Sequence, residues 1–255
     1  MEKQDTEKII ENLIEVFFKA GKLSIELRNN GLIKTFKTDN TPVTNGDIEV
    51  NNIILSSLKK IAPNIPIVSE ETSDNKDLKL DTFWLVDPID GTHDYINNGD
   101  EFTLNAGLVV NKKAFAGIIY APAKNKMFYT YGDQLSYELY NNEVKTMNNK
   151  KIDLNNLKAV SYSNILNTEI LEWHKKLNVK KYVKMKSSIK FCVVATGEYQ
   201  VYVADARAHE WDIAAGHAIL NNSGGIITDF AGNEIIYGKK EFKNSSIICK
   251  STNNF

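Results

Sequence analysis

Residues 83–96 read FWLVDPIDGTHDYI, and within them Asp87, Asp90 and Asp94 fall inside eight residues. Carboxylates this crowded repel one another unless something positive sits among them. Asp87, Asp90 and the carbonyl of Ile89 make an all-oxygen set that suits a hard cation such as Mg²⁺. Gly91 and Thr92 would open a short helix, whose free N–H groups and dipole attract phosphate. The same residues also make a turn, because Pro and Asp punctuate chains and Asp caps helices. On this stretch alone both readings stand. Further carboxylates lie elsewhere: Glu70-Glu71 in IVSEETSD, Asp212 at the start of EWDIAAGHAILNNSGG, and Asp47 in NTPVTNGDIEV. Each has a bland alternative, a solvated pair for the glutamates and a helix cap for Asp212 and Asp47.

These side chains need elements to position them. Ile10, Leu13, Ile14 and Phe17 recur at helical spacing, which predicts an amphipathic helix over residues 5–28. After a loop, Val50, Ile54, Leu58 and Ile61 mark a second helix, with Thr44 and Asp47 placed as a capping box. Ile65–Val68 and Phe83–Val86 read as short buried strands. EFTLNAGLVV, AFAGIIYAPA, KMFYTY and LSYELY follow with hairpin-like breaks, as antiparallel strands would. From LKAVSYS onward strands alternate with the helices TEILEWHKKL, SSIKFCVVATG and WDIAAGHAILNNSGG, which indicates an α/β layer. The architecture therefore changes near residues 136–156. Residues 1–140 are expected to form an α+β half with an antiparallel sheet and most candidate ligands. Residues 141–255 are expected to form an α/β half carrying Asp212 and the segments that set substrate preference.

At 255 residues, with 42% hydrophobic and 25% charged side chains, the chain reads as globular with a proper core. A formal net charge of −1 gives no electrostatic footprint for a nucleic-acid polymer or an anionic membrane. The acidic start MEKQDTEKIIENL does not resemble a secretory signal, and no apolar run approaches the ~20 residues of a membrane span. Cys192 and Cys249 stand far apart in apolar runs and are expected as buried, reduced thiols. The cytoplasm is the expected location, with peripheral inner-membrane association as the open alternative.

Taken in order and spacing, the pieces resemble the inositol monophosphatase superfamily of lithium-sensitive, magnesium-dependent phosphatases. Its pattern is an Asp, then Glu-Glu, then Asp-Pro-(Ile/Leu)-Asp-(Gly/Ser)-Thr, then Trp-Asp with Gly-Gly after eleven intervening residues. This chain supplies Asp47, Glu70-Glu71, Asp87-Pro88-Ile89-Asp90-Gly91-Thr92, and Trp211-Asp212 with Gly224-Gly225. The resemblance runs from about residue 35 to the end. It implies an α/β (α+β layered) fold, the αβαβα sandwich of the inositol monophosphatase and fructose-1,6-bisphosphatase type. It assigns one Mg²⁺ to Glu70, Asp87 and the Ile89 carbonyl and a second to Asp87, Asp90 and Asp212, two or three ions per site in all. It also implies a small phosphorylated substrate, bound by Ile89, Asp90, Gly91, Thr92 and Asp212, and hydrolysis by a metal-activated water. Thr92 would orient that water with Asp47 hydrogen-bonded behind it, and Glu70 would accept the proton. A homodimer and a monomer both remain open.

Flanking text bears on the substrate. EFTLN, GIIYAPA and SSIKFC are similar to the 3'(2'),5'-bisphosphate nucleotidase branch, which implies removal of the 3'-phosphate from 3'-phosphoadenosine 5'-phosphate. In that branch Lys190 is the candidate contact to the second phosphate, a solvated helix lysine being its bland alternative. His93-Asp94 stands where the branch carries Lys-Glu, and ADARAHEWD where it carries Pro-Arg-x-Gly-Pro-Thr before the Trp-Asp. The alternatives are an inositol-1-monophosphatase, or a broader small sugar-phosphate phosphatase, and a non-catalytic protein on the same fold. His209 and His217 are expected to be structural, since an all-oxygen site has no need of imidazole.

Overall fold

The computed structural model describes residues 3–37, 40–72, 79–148 and 150–255; Ser73 and Asp74, the end of the IVSEETSD stretch, lie outside them. The chain opens on α1 (Lys3–Asn30), whose Ile10, Leu13, Phe17 and Ala20 are buried along one face. A hairpin of β1 (Lys34–Phe36) and β2 (Pro42–Thr44) leads into α2 (Asn45–Ile61). The sequence suggests only a loop before α2, because β1 is exposed along its whole length and leaves no alternating pattern. Thr44 and Asp47 form the expected capping box at the start of α2.

Seven strands follow in one sheet: β3 (Ile67–Ser69), β4 (Phe83–Asp90), β5 (Thr103–Val110), β6 (Lys113–Ala121), β7 (Lys126–Thr130), β8 (Ser136–Tyr140) and β9 (Glu143–Thr146). Their spatial order is their chain order, with β3 parallel to β4 and every later pair antiparallel. A short helix, α3 (Thr92–Ile96), sits between β4 and β5. β4 runs on to Asp90 instead of stopping at Val86, because its pairing with β5 resumes beyond an irregularity. β9 is wholly exposed, so the alternation that would have announced it is missing.

The remaining chain builds β10 (Lys158–Ser161), α4 (Thr168–Lys176), β11 (Lys181–Lys184), α5 (Ile189–Ala195), β12 (Val201–Ala204), α6 (Glu210–Asn222), β13 (Ile226–Thr228) and β14 (Ile247–Lys250). These strands form a second sheet in the order β11-β10-β12-β14-β13, parallel across β11-β10-β12 and antiparallel where β14 joins. Helices α1 and α2 cover one face of the seven-stranded sheet, and α5 and α6 fill the space between the two sheets. α4 packs on the outer face of the second sheet. The result is an αβαβα sandwich, as the resemblance implies. β5 is buried on nearly every residue because helices cover both its faces.

Close approach of α6 to the first sheet sets the position of Asp212. A Cβ at Gly107 would come within 2.6 Å of Ala215 N, and one at Gly117 within 2.8 Å of Ala215 Cα. Glycines at these two points let the Ala214-Ala215 face of α6 lie directly on β5 and β6. Cys192 and Cys249 are both buried and free, as expected.

Candidate active site

Pairing of β4 with β5 brings the first two aspartates to one place. In an unbroken strand, residues three apart point to opposite faces. Here Asp87 pairs with Asn105 and Asp90 with Thr103, so β4 carries one residue more than its partner across this interval. Pro88, which has no N–H to give the ladder, lies within the bulge. The extra residue turns Asp90 back toward the side that Asp87 faces, and the two carboxyls act on each other electrostatically. Gly91 then takes a left-handed conformation (φ 89°) and starts α3.

Glu70 arrives from the end of β3, its N–H bonded to the Val86 carbonyl at 3.0 Å. Asp212 arrives from the first turn of α6, where its Oδ2 accepts the His209 N–H at 2.8 Å. The cap reading of Asp212 is thus correct and does not exclude a second role. Burial drives the Asp87 carboxyl well above the usual carboxylate range, and Glu70, Asp90 and Asp212 push it further. Asp212 is raised by burial, then by Asp90 and Glu70. Asp90 is raised by burial too, partly offset by Lys190 and by the Ser188 hydroxyl. Four carboxyls from three segments therefore share one field.

Among the described residues, no three His, Cys, Asp or Glu side chains are gathered into a ready-made metal cluster. Two observations nevertheless fit a hard cation. Asp87 is 1% exposed, and its Oδ1 has no hydrogen-bond partner. Lys37, at the end of the hairpin, spreads its ammonium between Glu70 Oε1 at 2.9 Å and Glu71 Oε1 at 2.8 Å. The cluster holds more negative charge than its neighbours neutralise, and its donors are all oxygen.

Asp47 is at once a cap and a neighbour of the site. Its Oδ2 accepts from Thr44 N at 2.7 Å and Thr44 Oγ1 at 2.6 Å, while its Oδ1 lies 3.2 Å from Thr92 Oγ1. The Thr92 hydroxyl also lies 3.1 Å from the Ile89 carbonyl, so its single proton chooses between the two acceptors. The Ile89 side chain is buried in the core between α1, α2 and the seven-stranded sheet and fixes that carbonyl.

The two segments that carry the branch resemblance meet across the halves of the chain. Asn105 Nδ2 donates to Ser188 Oγ at 3.0 Å, and Lys186 N donates to Glu101 Oε2 at 3.0 Å. Ser188 Oγ in turn lies 2.5 Å from Asp90 Oδ2 and 2.8 Å from the Asp212 carbonyl, tying β4 to α6. Asp94 turns away from the other carboxyls and binds the Lys186 ammonium. Ser188 and Lys37 escape sequence reading. The first lies inside SSIKFC without a signal of its own, and the second touches the glutamates only through the hairpin.

Beside Asp90 and Asp212 opens a cleft of about 300 Å³, walled by Lys190, Tyr162, Tyr202 and Arg207 among others. Lys190 is no solvated surface lysine, since only 7% of it is exposed. Its Nζ donates to the Ser187 carbonyl and stands 5.5 Å over the Tyr202 ring. Burial lowers its pKa to about 8, with Asp90 acting against that fall.

The family model for the inositol monophosphatase family matches residues 5–254. The chain belongs to the inositol monophosphatase family. Within that family it is similar to the 3'(2'),5'-bisphosphate nucleotidase CysQ of Buchnera aphidicola, 35% identical over 241 residues, covering 90% of this chain and 88% of the relative. The enzyme of the same name from Escherichia coli K12 is 32% identical over 211 residues, covering 80% and 83%. Among solved structures, CysQ from Bacteroides thetaiotaomicron, described as a bacterial member of the inositol monophosphatase family, superposes with a TM-score of 0.81 at 28% identity, covering 94% of this chain and 96% of that one. The inositol monophosphatase of Thermotoga maritima shares the fold with a TM-score of 0.74 at 24% identity, covering 95% and 91%. The chain is an enzyme, a phosphatase of the CysQ branch of the inositol monophosphatase family.

His209 and His217 make packing contacts around α6. His209 stacks on Trp211, with ring centroids 4.7 Å apart and planes 9° from parallel. His217 is buried with Nδ1 2.9 Å from the Tyr237 hydroxyl, and burial lowers its pKa from 6.5 to about 3. A histidine held neutral in the fold lets the unfolded chain take up a proton first. Above pH 6.5 both states are neutral there and nothing is lost; from pH 6.5 down toward about 3 stability falls by about 1.4 kcal/mol per unit. The raised carboxyls act in the opposite sense over this range, so urea unfolding at pH 7.5, 6 and 5 is compared between wild type and His217→Gln: the variant should lose less stability, or gain more, on acidification than wild type. An unchanged slope in that variant would assign the acid sensitivity elsewhere.

Proposed function

We propose that this chain is a Mg²⁺-dependent phosphomonoesterase that removes the 3'-phosphate from 3'-phosphoadenosine 5'-phosphate. The observation that carries the reading is the joining of a carboxyl cluster, Glu70, Asp87, Asp90 and Asp212, to a cleft whose wall holds cations. The names of the relatives support the choice of a nucleoside bisphosphate. Glu70, Asp87, the Ile89 carbonyl, Asp90 and Asp212 would hold the divalent ions. Bound there, such ions supply charge neutralisation for the phosphate and acidify water.

The chain's own groups do the rest. Thr92 Oγ1, by giving its proton to Asp47 Oδ1, leaves its lone pairs to accept from a water placed for in-line attack. Asp47 keeps the hydroxyl turned that way, since Thr44 fixes its other oxygen. Glu70 is the group to receive the proton of the attacking water. Gly91 and Thr92, opening α3, direct backbone toward the transferring phosphate, and a side chain at position 91 would strain the left-handed backbone.

Lys190 serves a substrate phosphate from inside the wall. The resemblance points it at the second phosphate; in the structure its ammonium stands in the field of Asp90 first, then of Arg207, Glu101 and Asp212. Its burial in the wall beside Asp90 supports a role at the carboxyl end of the cleft. Lys190→Ala should lower kcat/KM about tenfold or more on mono- and bisphosphates alike, the scale of a charge-assisted hydrogen bond. A loss confined to the bisphosphate would return Lys190 to the second phosphate. The function itself is tested by phosphate release from 3'-phosphoadenosine 5'-phosphate, 3'-AMP and inositol 1-phosphate, side by side with Mg²⁺. The bisphosphate should lead by at least tenfold in kcat/KM. Preference for inositol 1-phosphate would make the chain an inositol monophosphatase.

A further inference from the structure

Three cations line the cleft beside Asp90 and Asp212: Lys186, Lys190 and Arg207. Two of them are already engaged. Lys186 is bound by Asp94, and Lys190 lies beneath the wall against the Ser187 carbonyl and the Tyr202 face. Arg207 differs. It is exposed, so it stands at the mouth of the cleft, and among the described residues no carboxylate forms an ion pair with it.

Its guanidinium is nonetheless held in place. Cζ lies 3.8 Å from the centroid of the Tyr162 ring, a face-on contact. Tyr162 is itself anchored, its hydroxyl donating to Asp205 Oδ2 at 3.2 Å, which also accepts Asn167 Nδ2 at 3.1 Å. Stacking occupies one face of the guanidinium plane, and a hydrogen bond to Tyr162 engages part of its edge, leaving the other in-plane N–H donors for a ligand. A fork fixed this way loses little freedom when it binds an oxyanion, and its shape matches two phosphate oxygens.

We propose that Arg207, stacked on Tyr162, binds the substrate's second phosphate, the one that is not cleaved, and so sets the preference for bisphosphates over monophosphates. The inference rests on the nucleotidase reading above and deepens it. Asp90 and Asp212 with their ions would hold the scissile 3'-phosphate. The 5'-phosphate needs a positive group that is exposed at the mouth and, among the described residues, in no ion pair with a carboxylate; Lys190 also lacks a carboxylate partner but is buried in the wall, which leaves Arg207 on this cleft. The role falls in ADARAHEWD, where the sequence departs from the branch pattern, so it is specific to this chain's own residues.

The test is steady-state kinetics of wild type, Arg207→Ala, Arg207→Lys and Tyr162→Leu with Mg²⁺ on 3'-phosphoadenosine 5'-phosphate and on 3'-AMP. Arg207→Ala should lower kcat/KM for the bisphosphate about tenfold to a hundredfold, chiefly through KM, and change 3'-AMP less than about threefold. Arg207→Lys keeps the charge without the fork and should fall between. Tyr162→Leu should lose several-fold on the bisphosphate alone. Thermal melts of each variant check that the fold is intact. Equal losses on both substrates, or none on either, would overturn the assignment while leaving the nucleotidase reading in place. A wild-type enzyme that hydrolyses neither nucleotide would remove the nucleotidase reading and this inference with it.

Discussion

Asp90→Asn is expected to abolish turnover in a protein that stays folded. Asp90 stands where three influences meet: the field of the other carboxyls, the Ser188 hydroxyl at 2.5 Å and the nearby Lys190 charge. As a ligand to a divalent ion it would supply a full negative charge. Losing that charge removes several kcal/mol of transition-state stabilisation, roughly a thousandfold or more in rate. The amide keeps the shape and can still accept from Ser188, so the fold should survive. It should even gain, because a half-buried carboxyl in a field of carboxyls is replaced by a neutral group. Activity and melting temperature are measured together. A variant that keeps a tenth of wild-type activity would remove Asp90 from the metal set.

Thr92→Ala is expected to lower kcat by orders of magnitude with little change in substrate binding. A residue that only opened α3 would lose about 1 kcal/mol of stability and leave activity normal. The structure links Thr92 to Asp47 at 3.2 Å, so the two should fail together. Asp47→Asn also touches the cap of α2, since Thr44 donates twice to the Asp47 carboxyl. It should therefore lose both rate and some stability, whereas Thr92→Ala loses mainly rate. Two rates that multiply in the double variant would show that the residues act independently; a double variant no slower than Thr92→Ala is the expected result.

How much of this could be read in the sequence depends on how local each signal is. α1 and α2 are legible because each hides an apolar face at helical period, and β4 to β6 because each carries a near-continuous apolar run buried on both faces. β9 is missed because it is exposed throughout and has no face to hide. Strand β1 of the hairpin fails for the same reason, and Lys37 with it, since a lysine beside a short exposed strand looks like any other. Asp87 and Asp90 are readable as a pair from their motif, but not the bulge that turns them to one side. That bulge is a property of the pairing with β5, not of β4 alone. Ser188 and Arg207 touch partners 98 and 45 residues away in the chain, Asp90 and Tyr162. Contacts of that kind leave no periodic trace. Asp47 and Asp212 show the opposite case, where a correct structural reading as helix caps conceals a place in the site.

Of all these measurements, the products formed from 3'-phosphoadenosine 5'-phosphate with Mg²⁺ and with a chelator speak most directly to the site as described. With Mg²⁺, wild type should release one inorganic phosphate per nucleotide and leave 5'-AMP. With the chelator, turnover should fall at least a thousandfold and return when Mg²⁺ is restored. Release of phosphate at an undiminished rate in the chelator, or accumulation of 3'-AMP instead of 5'-AMP, would contradict it.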